Sequence, residues 1–334
     1  MITSGPILSA LLLGLASVPP ASASDPHDVE RFVPSDSDII AVANVRQLVG
    51  SPLFKKYALE RVRHWLKTDP RAQLMALVGM DPTRDVRRLV LAGPASLAIR
   101  ERWLLVVEGR FELPKIETGA KLTARLSPDT LKIEKEEGLP VYELRNKKRP
   151  EPIFAVLIDE KTLIVSPIKN WIHDAVSKAL GRKKTELDKE LHALVGKRDP
   201  DKSLWFAGIP YDLVKNQLVR YPRLEAIFSS VRWFKGVVEL NDQARADLEV
   251  STTNARAAQQ LRRYFEGAKV VAELAIASNE QFRKDAPLLT GIIRTFEISQ
   301  ENGAVKLEAT LTSEQIDQWI KKEQEKSKNT KPPP

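Results

Sequence analysis

The C-terminal third of the chain alternates polar and apolar residues with a period of two. Ala246, Leu248 and Val250 share one face of a strand, and Arg245, Asp247 and Glu249 share the other. Val305, Leu307, Ala309 and Leu311 likewise oppose Lys306, Glu308 and Thr310. Such patterning marks antiparallel strands with one buried face. Each of these strands follows another strand and a turn: 237–240 then Asn241-Asp242, and 295–298 then Glu301-Asn302-Gly303. Asn302-Gly303 suits a type I′ turn, whose two central residues both need positive φ. Helical spacing comes next in both places. Asn254 is an N-cap candidate ahead of Ala258, Leu261, Phe265, Ala268 and Ala272. Thr312 with Gln315 resembles a capping box ahead of Ile316, Trp319 and Ile320.

The same strand–strand–helix order recurs more loosely upstream. Strands over 86–92 and 103–110 precede a helix over 114–126, and strands over 153–158 and 162–165 precede a helix over 167–180. Pro114 and Pro167 suit a first helical turn, where a missing N–H costs little. Short strands at 131–135 and 141–144 lie between these copies, and a strand at 39–43 and a helix at 52–66 come before them. The expected fold is α+β, built of duplicated strand–strand–helix units as antiparallel sheets with helices packed on one face. An N-terminal half, 24–200, joins a C-terminal half, 201–322, near Gly196-Lys197-Arg198-Asp199-Pro200-Asp201. Residues 323–334 have few apolar groups and are expected to form a disordered basic tail.

The first 23 residues break this pattern. An uncharged apolar run at 7–18 is followed by Pro19-Pro20 and by the small-x-small triplet Ala21-Ser22-Ala23. The first charged side chain is Asp25. This reads as a signal peptide with cleavage near Ala23, although no Lys or Arg precedes the run. The run is shorter than the ~20 residues that span a bilayer core, and no later segment is long and uncharged enough, so the mature chain is expected to lack a transmembrane segment. The chain has no cysteine. That excludes disulfides, thiolate chemistry, zinc fingers and a lipidated cysteine anchor. The expected location is periplasmic or extracellular.

Hydrophobic content of 43% and charged content of 29% are ordinary for a globular chain. The net charge of +8 is spread over Lys55-Lys56, Arg87-Arg88, Lys147-Lys148-Arg149, Arg182-Lys183-Lys184, Lys197-Arg198 and Arg262-Arg263. Nucleic-acid readers concentrate cations on one face with interleaved aromatics, so no nucleic-acid partner is expected. The scatter fits solubility, with adhesion to an anionic envelope polymer or membrane surface as the sharper reading.

Candidate chemistry is sparse. No G-x-G-x-x-G, P-loop, G-x-S-x-G or H-E-x-x-H occurs. His27, His64, His173 and His192 form no i, i+4 ligand pair. His173 with Asp174 is the nearest approach to a general base and its orienter, but adjacent helical residues point about 100° apart. Asp36-Ser37-Asp38 opens like a calcium loop, yet Ala41 and Gln47 stand where Gly and Glu are needed, leaving a solvated turn. Asp81 is placed to cap a turn before the strand at 86–92. Glu134, Glu136 and Glu137 alternate with Lys135 in a solvated hairpin. No catalytic, cofactor-binding or metal-ligating residue is nominated, and no cofactor is expected.

Ser51-Pro52-Leu53-Phe54, Gly79-Met80-Asp81-Pro82, Asp85-Val86 and the strand end Val42-Ala43-Asn44-Val45 resemble a group of uncharacterised exported bacterial proteins. The resemblance implies the compartment and carries no activity. The function expected is that of a non-catalytic exported protein, a binding or structural envelope component whose partner is an envelope protein or anionic polymer. The alternatives are a hydrolase with a dispersed site and a basic binder of anionic envelope polymer.

Overall fold

The computed structural model describes residues 29–68, 81–95, 101–146, 149–199, 201–210, 218, 221–279 and 287–329. The expected leader, His27 and the Gly79-Met80 motif lie outside these residues. The strands are β1 (Ile39–Asn44), β2 (Val86–Gly93), β3 (Leu104–Gly109), β4 (Leu131–Glu136), β5 (Leu139–Asn146), β6 (Arg149–Asp159), β7 (Thr162–Ser166), β8 (Leu204–Gly208), β9 (Val231–Leu240), β10 (Ala244–Thr252), β11 (Glu297–Glu301) and β12 (Ala304–Leu311). The helices are α1 (Val45–Gly50), α2 (Pro52–Tyr57), α3 (Leu59–Thr68), α4 (Pro82–Asp85), α5 (Leu113–Leu126), α6 (Lys169–Ala179), α7 (Lys189–Val195), α8 (Pro222–Phe228), α9 (Ala255–Ser278), α10 (Pro287–Thr295) and α11 (Ser313–Asn329).

All twelve strands form one sheet in the order β11-β12-β10-β9-β8-β1-β2-β3-β7-β6-β5-β4. Every neighbouring pair is antiparallel. The two halves meet where β1 pairs with β8, from Ile39 opposite Gly208 to Ala43 opposite Leu204. A Cβ on Gly208 would lie 2.6 Å from the Phe234 ring and 2.9 Å from Ile39, so only glycine fits this junction.

Local signals act where the pattern places them. Asn302 and Gly303 both have positive φ, 47° and 82°, as a type I′ turn requires. Asn254 Oδ1 accepts from the Ala257 N–H at 2.9 Å and caps α9. Thr312 and Gln315 bond reciprocally at 3.3 and 2.9 Å ahead of α11. Asp81 Oδ1 accepts from the Thr83 N–H and caps α4. Other expectations are revised. The helix expected over 52–66 is two helices, α2 and α3, parted at Ala58. Pro167 lies before α6, whose N-cap is Ile168. Thr295 ends α10 instead of starting a strand. Helical backbone continues through 323–329, where an irregular tail was expected; Glu and Lys at short spacing favour it.

Packing follows the strand register. One face of the sheet carries Val42, Val90, Val106, Ile164, Val156 and Val141, all buried and packed with Trp171, Ile172, Ala175 and Val176 of α6 and with Leu191 and Val195 of α7. The opposite face of the same strands carries Val107, Tyr142, Ala155 and Leu157, packed against Ile116 and Ala120 of α5. In the N-terminal half helices therefore lie on both faces, a correction to the one-sided packing expected. Beyond β9 the second face continues with Leu248, Val250, Val305 and Leu307 against Ala258, Leu261 and Phe265 of α9. Among the described residues no helix covers the first face there.

Candidate functional site

The uncovered face is built from residues whose alternation is plain in the strands. Strand pairing sets Trp205, Val237, Asp247, Glu308 and Glu297 side by side across β8, β9, β10, β12 and β11. A parallel row holds Lys235, Glu249, Lys306 and Ser299. A third pairs Glu239 with Arg245 and Arg245 with Thr310. Trp205, Lys235, Val237, Asp247, Glu249 and Glu308 line an open groove of about 240 Å³. All of them stand on strands.

Three carboxylates, Asp247, Glu308 and Glu297, are direct cross-strand neighbours. Like charges so placed destabilise a ladder by roughly 0.2–1 kcal/mol per pair. Arg245 offsets part of this. Its Nε lies 3.0 Å from Asp247 and its Nη2 2.8 Å from Glu308. Lys235 pairs with Glu249 at 3.0 Å and sits 5.4 Å from the Trp233 ring. Lys306 donates to Glu301 at 2.6 Å, which lowers the Glu301 carboxyl pKa and raises that of Lys306. All these groups are at least a quarter exposed. Such pairs hold the face in register and contribute little to stability. Six carboxylates (Glu239, Asp247, Glu249, Glu297, Glu301, Glu308) stand against four cations (Lys235, Arg245, Lys306 and Lys202, which reaches Glu239) in a chain whose net charge is +8.

The described histidines, His64, His173 and His192, are placed apart from this groove. His173 Nδ1 lies 2.8 Å from Glu136, while Asp174 pairs with Lys178 at 2.6 Å and with Lys183. The helix turns the adjacent residues to different partners, so His173 and Asp174 make no dyad. Burial alone would raise the Asp174 carboxyl pKa, but hydrogen bonds from Lys178 and Lys183 outweigh it and hold it below the ordinary value. Lys178 is buried and also donates to the Val33 carbonyl at 2.8 Å. That network ties the segment before β1 to α6. His64 and His192 are exposed on helices. No cluster of three or more metal-ligating side chains occurs among the described residues. None of their helices is long and apolar enough to cross a membrane.

The basic doublets are largely engaged locally. Arg87 and Arg88 both reach Glu108, Lys56 reaches Asp317, Arg182 reaches Glu137 and Arg262 reaches Glu266. Asp36 pairs with Arg102 and Asp38 accepts from the Ala95 N–H, so that acidic triplet braces a loop. The pattern had marked Arg245, Asp247, Glu249, Lys306 and Glu308 as a polar face. Trp205, Val237 and Glu297 join them only through strand order, which no local signal encodes.

No protein-family model, curated protein or solved structure matches this chain.

Proposed function

We propose that this is an exported, non-catalytic binding protein of the bacterial envelope, and that the uncovered face of β10, β12 and β11 is its binding surface. The observation that carries the reading is the contrast along one side of the sheet, clad by α6 over the N-terminal half and by α7 over β8 and β9, and open with paired charges over β10, β12 and β11. Export rests on the leader at 1–23 and on the resemblance to exported bacterial proteins. Duplication of the strand–strand–helix unit is part of the proposal. It is supported by the matching strand orders outward from the junction: β1-β2-β3-β7-β6 on one side and β8-β9-β10-β12-β11 on the other.

Two measurements test it. The exported protein should begin near Ser24 by mass spectrometry, and an intact leader on the released protein overturns the export reading. Immobilised protein should retain an envelope component at low salt that the Glu308→Lys variant loses. Equal retention by both proteins, or by neither, overturns the assignment of the face.

A further inference from the structure

The outward side of α9 changes character halfway along the helix. Its inner side holds Ala258, Leu261 and Phe265 against β10 and β12 and continues to the buried Ile276. Opposite these, Arg256, Gln260 and Arg263 stand exposed in one line, as a solvated helix face requires. The same line then runs through Gly267, Val270, Leu274 and Ala277, which are also exposed and carry no polar side chain. Val270 is 52% exposed, Val271 beside it 67% and Leu274 63%. On the neighbouring α10, Leu289 is 42% exposed. A contiguous apolar ridge of this kind marks an interaction surface.

We propose that this ridge rests on an anionic lipid surface, with Val270, Val271 and Leu274 entering the boundary between headgroups and acyl chains. It is a second surface, on the other side of the sheet from the open carboxylate face. Charge selects the occupant. Both acids of α9 are paired within the helix, Glu266 with Arg262 at 2.8 Å and Glu273 with Lys269 at 3.8 Å. Arg256 and Arg263 of α9 and Arg294 of α10 are exposed and form no ion pair among the described residues. Lys269 also donates to the Phe296 carbonyl at 2.6 Å, which draws the end of α10, and Arg294 with it, to the level of the ridge. The unpaired arginines meet lipid phosphates while the valines and the leucine sit ~5–10 Å into the boundary. The carboxylate-rich face of β10, β12 and β11 is repelled by the same surface, so the molecule docks in one orientation. A second copy fits less well. Two turns of helix offer well under the ~800 Å² per partner that a stable dimer buries, and an antiparallel copy would bring Glu273 against its own counterpart. A lipid surface needs no such matched area, because headgroups close around a convex ridge.

The chain lacks cysteine, so Val271→Cys introduces a unique attachment point for an environment-sensitive fluorophore. At low salt, vesicles of equal parts phosphatidylcholine and phosphatidylglycerol should shift the emission of the labelled protein to the blue, and vesicles of phosphatidylcholine alone should not. The same label at Ser299→Cys, on the open face, should report no change. Sedimentation with the anionic vesicles should be lost in Leu274→Glu, weakened roughly tenfold in Arg263→Glu and unchanged in Glu308→Ala. Circular dichroism verifies the fold of each variant, and the Val271→Cys label keeps the test decisive if Leu274→Glu unfolds. Absence of binding to the anionic vesicles overturns the proposal, as does equal binding to both kinds. Full sedimentation of folded Leu274→Glu, or a shift from the label at Ser299→Cys without one at Val271→Cys, overturns it too. So does dimerisation that Leu274→Glu abolishes, since a second copy then covers the ridge.

Discussion

Between β1 and β4 the sheet is a middle layer, with α6 above and α5 below, and α7 still covers β8 and β9; from β10 to β11 it is an outer layer, with α9 below. The strands announce this difference. Leu104-Leu105-Val106-Val107 and Phe154-Ala155-Val156-Leu157 are continuous apolar runs, as strands buried on both faces require. In β10 and β12 every second residue is polar. One strand order thus supports two kinds of layer. What decides between them is whether the residues of one parity are valines or carboxylates.

The largest expected effect lies where the sheet is clad on both sides. Ile172 is fully buried between α6 and the strands. Ile172→Ala should cost about 3–4 kcal/mol in urea unfolding, because neighbours held from both sides cannot collapse into the cavity. Leu261, equally buried but in the single-sided half, should cost about 2–3 kcal/mol as Leu261→Ala, since α9 can settle toward the sheet. A reversed order of these two costs contradicts the layer assignment.

Gly303→Ala should cost about 1 kcal/mol, the penalty of positive φ, since its Cβ would meet no atom closer than 3.8 Å. On the open face Glu308→Ala should change stability by about 0.5 kcal/mol or less. A loss as large as that of Leu261→Ala means the face is covered after all.

The acid response probes the part-buried ion network of α6. The Asp174 carboxyl is held below its ordinary value, so its contribution to stability is complete above the usual aspartate range near pH 4 and is lost as pH falls through its lower folded-state value. Asp174→Asn should reduce stability at neutral pH and flatten the acid limb of the stability profile. An unchanged limb contradicts the Lys178–Asp174 network.

Much of the local architecture was legible because it depends on neighbours in sequence. The turn at Asn302-Gly303, the Asn254 cap and the Thr312–Gln315 box each need only a few adjacent residues to form. The polar face of β10 and β12 was legible for the same reason. The Glu137–Gly138 turn between β4 and β5, also at positive φ, had its signal in the glycine. Less visible were the second helical layer of the N-terminal half and the break at Ala58. A buried apolar run does not say what covers it, and a helical pattern does not mark where a cap competes with it. The partners of His173 and Asp174 were hidden too, because Glu136 and Lys183 reach them through the packing of α6 on the β4–β5 hairpin.

The amino-acid sequence by itself determined many of the strands and several of the helices, where several turns fall and which residues of β10 and β12 avoid the core, because backbone propensity and side-chain periodicity are short-range. Only the tertiary structure decided that β1 and β8 join two halves into one sheet, that helices clad one side only as far as β9, and that Trp205, Val237, Asp247, Glu308 and Glu297 share a row. Those outcomes depend on strand order and register, which arise from the whole chain minimising its exposed apolar surface.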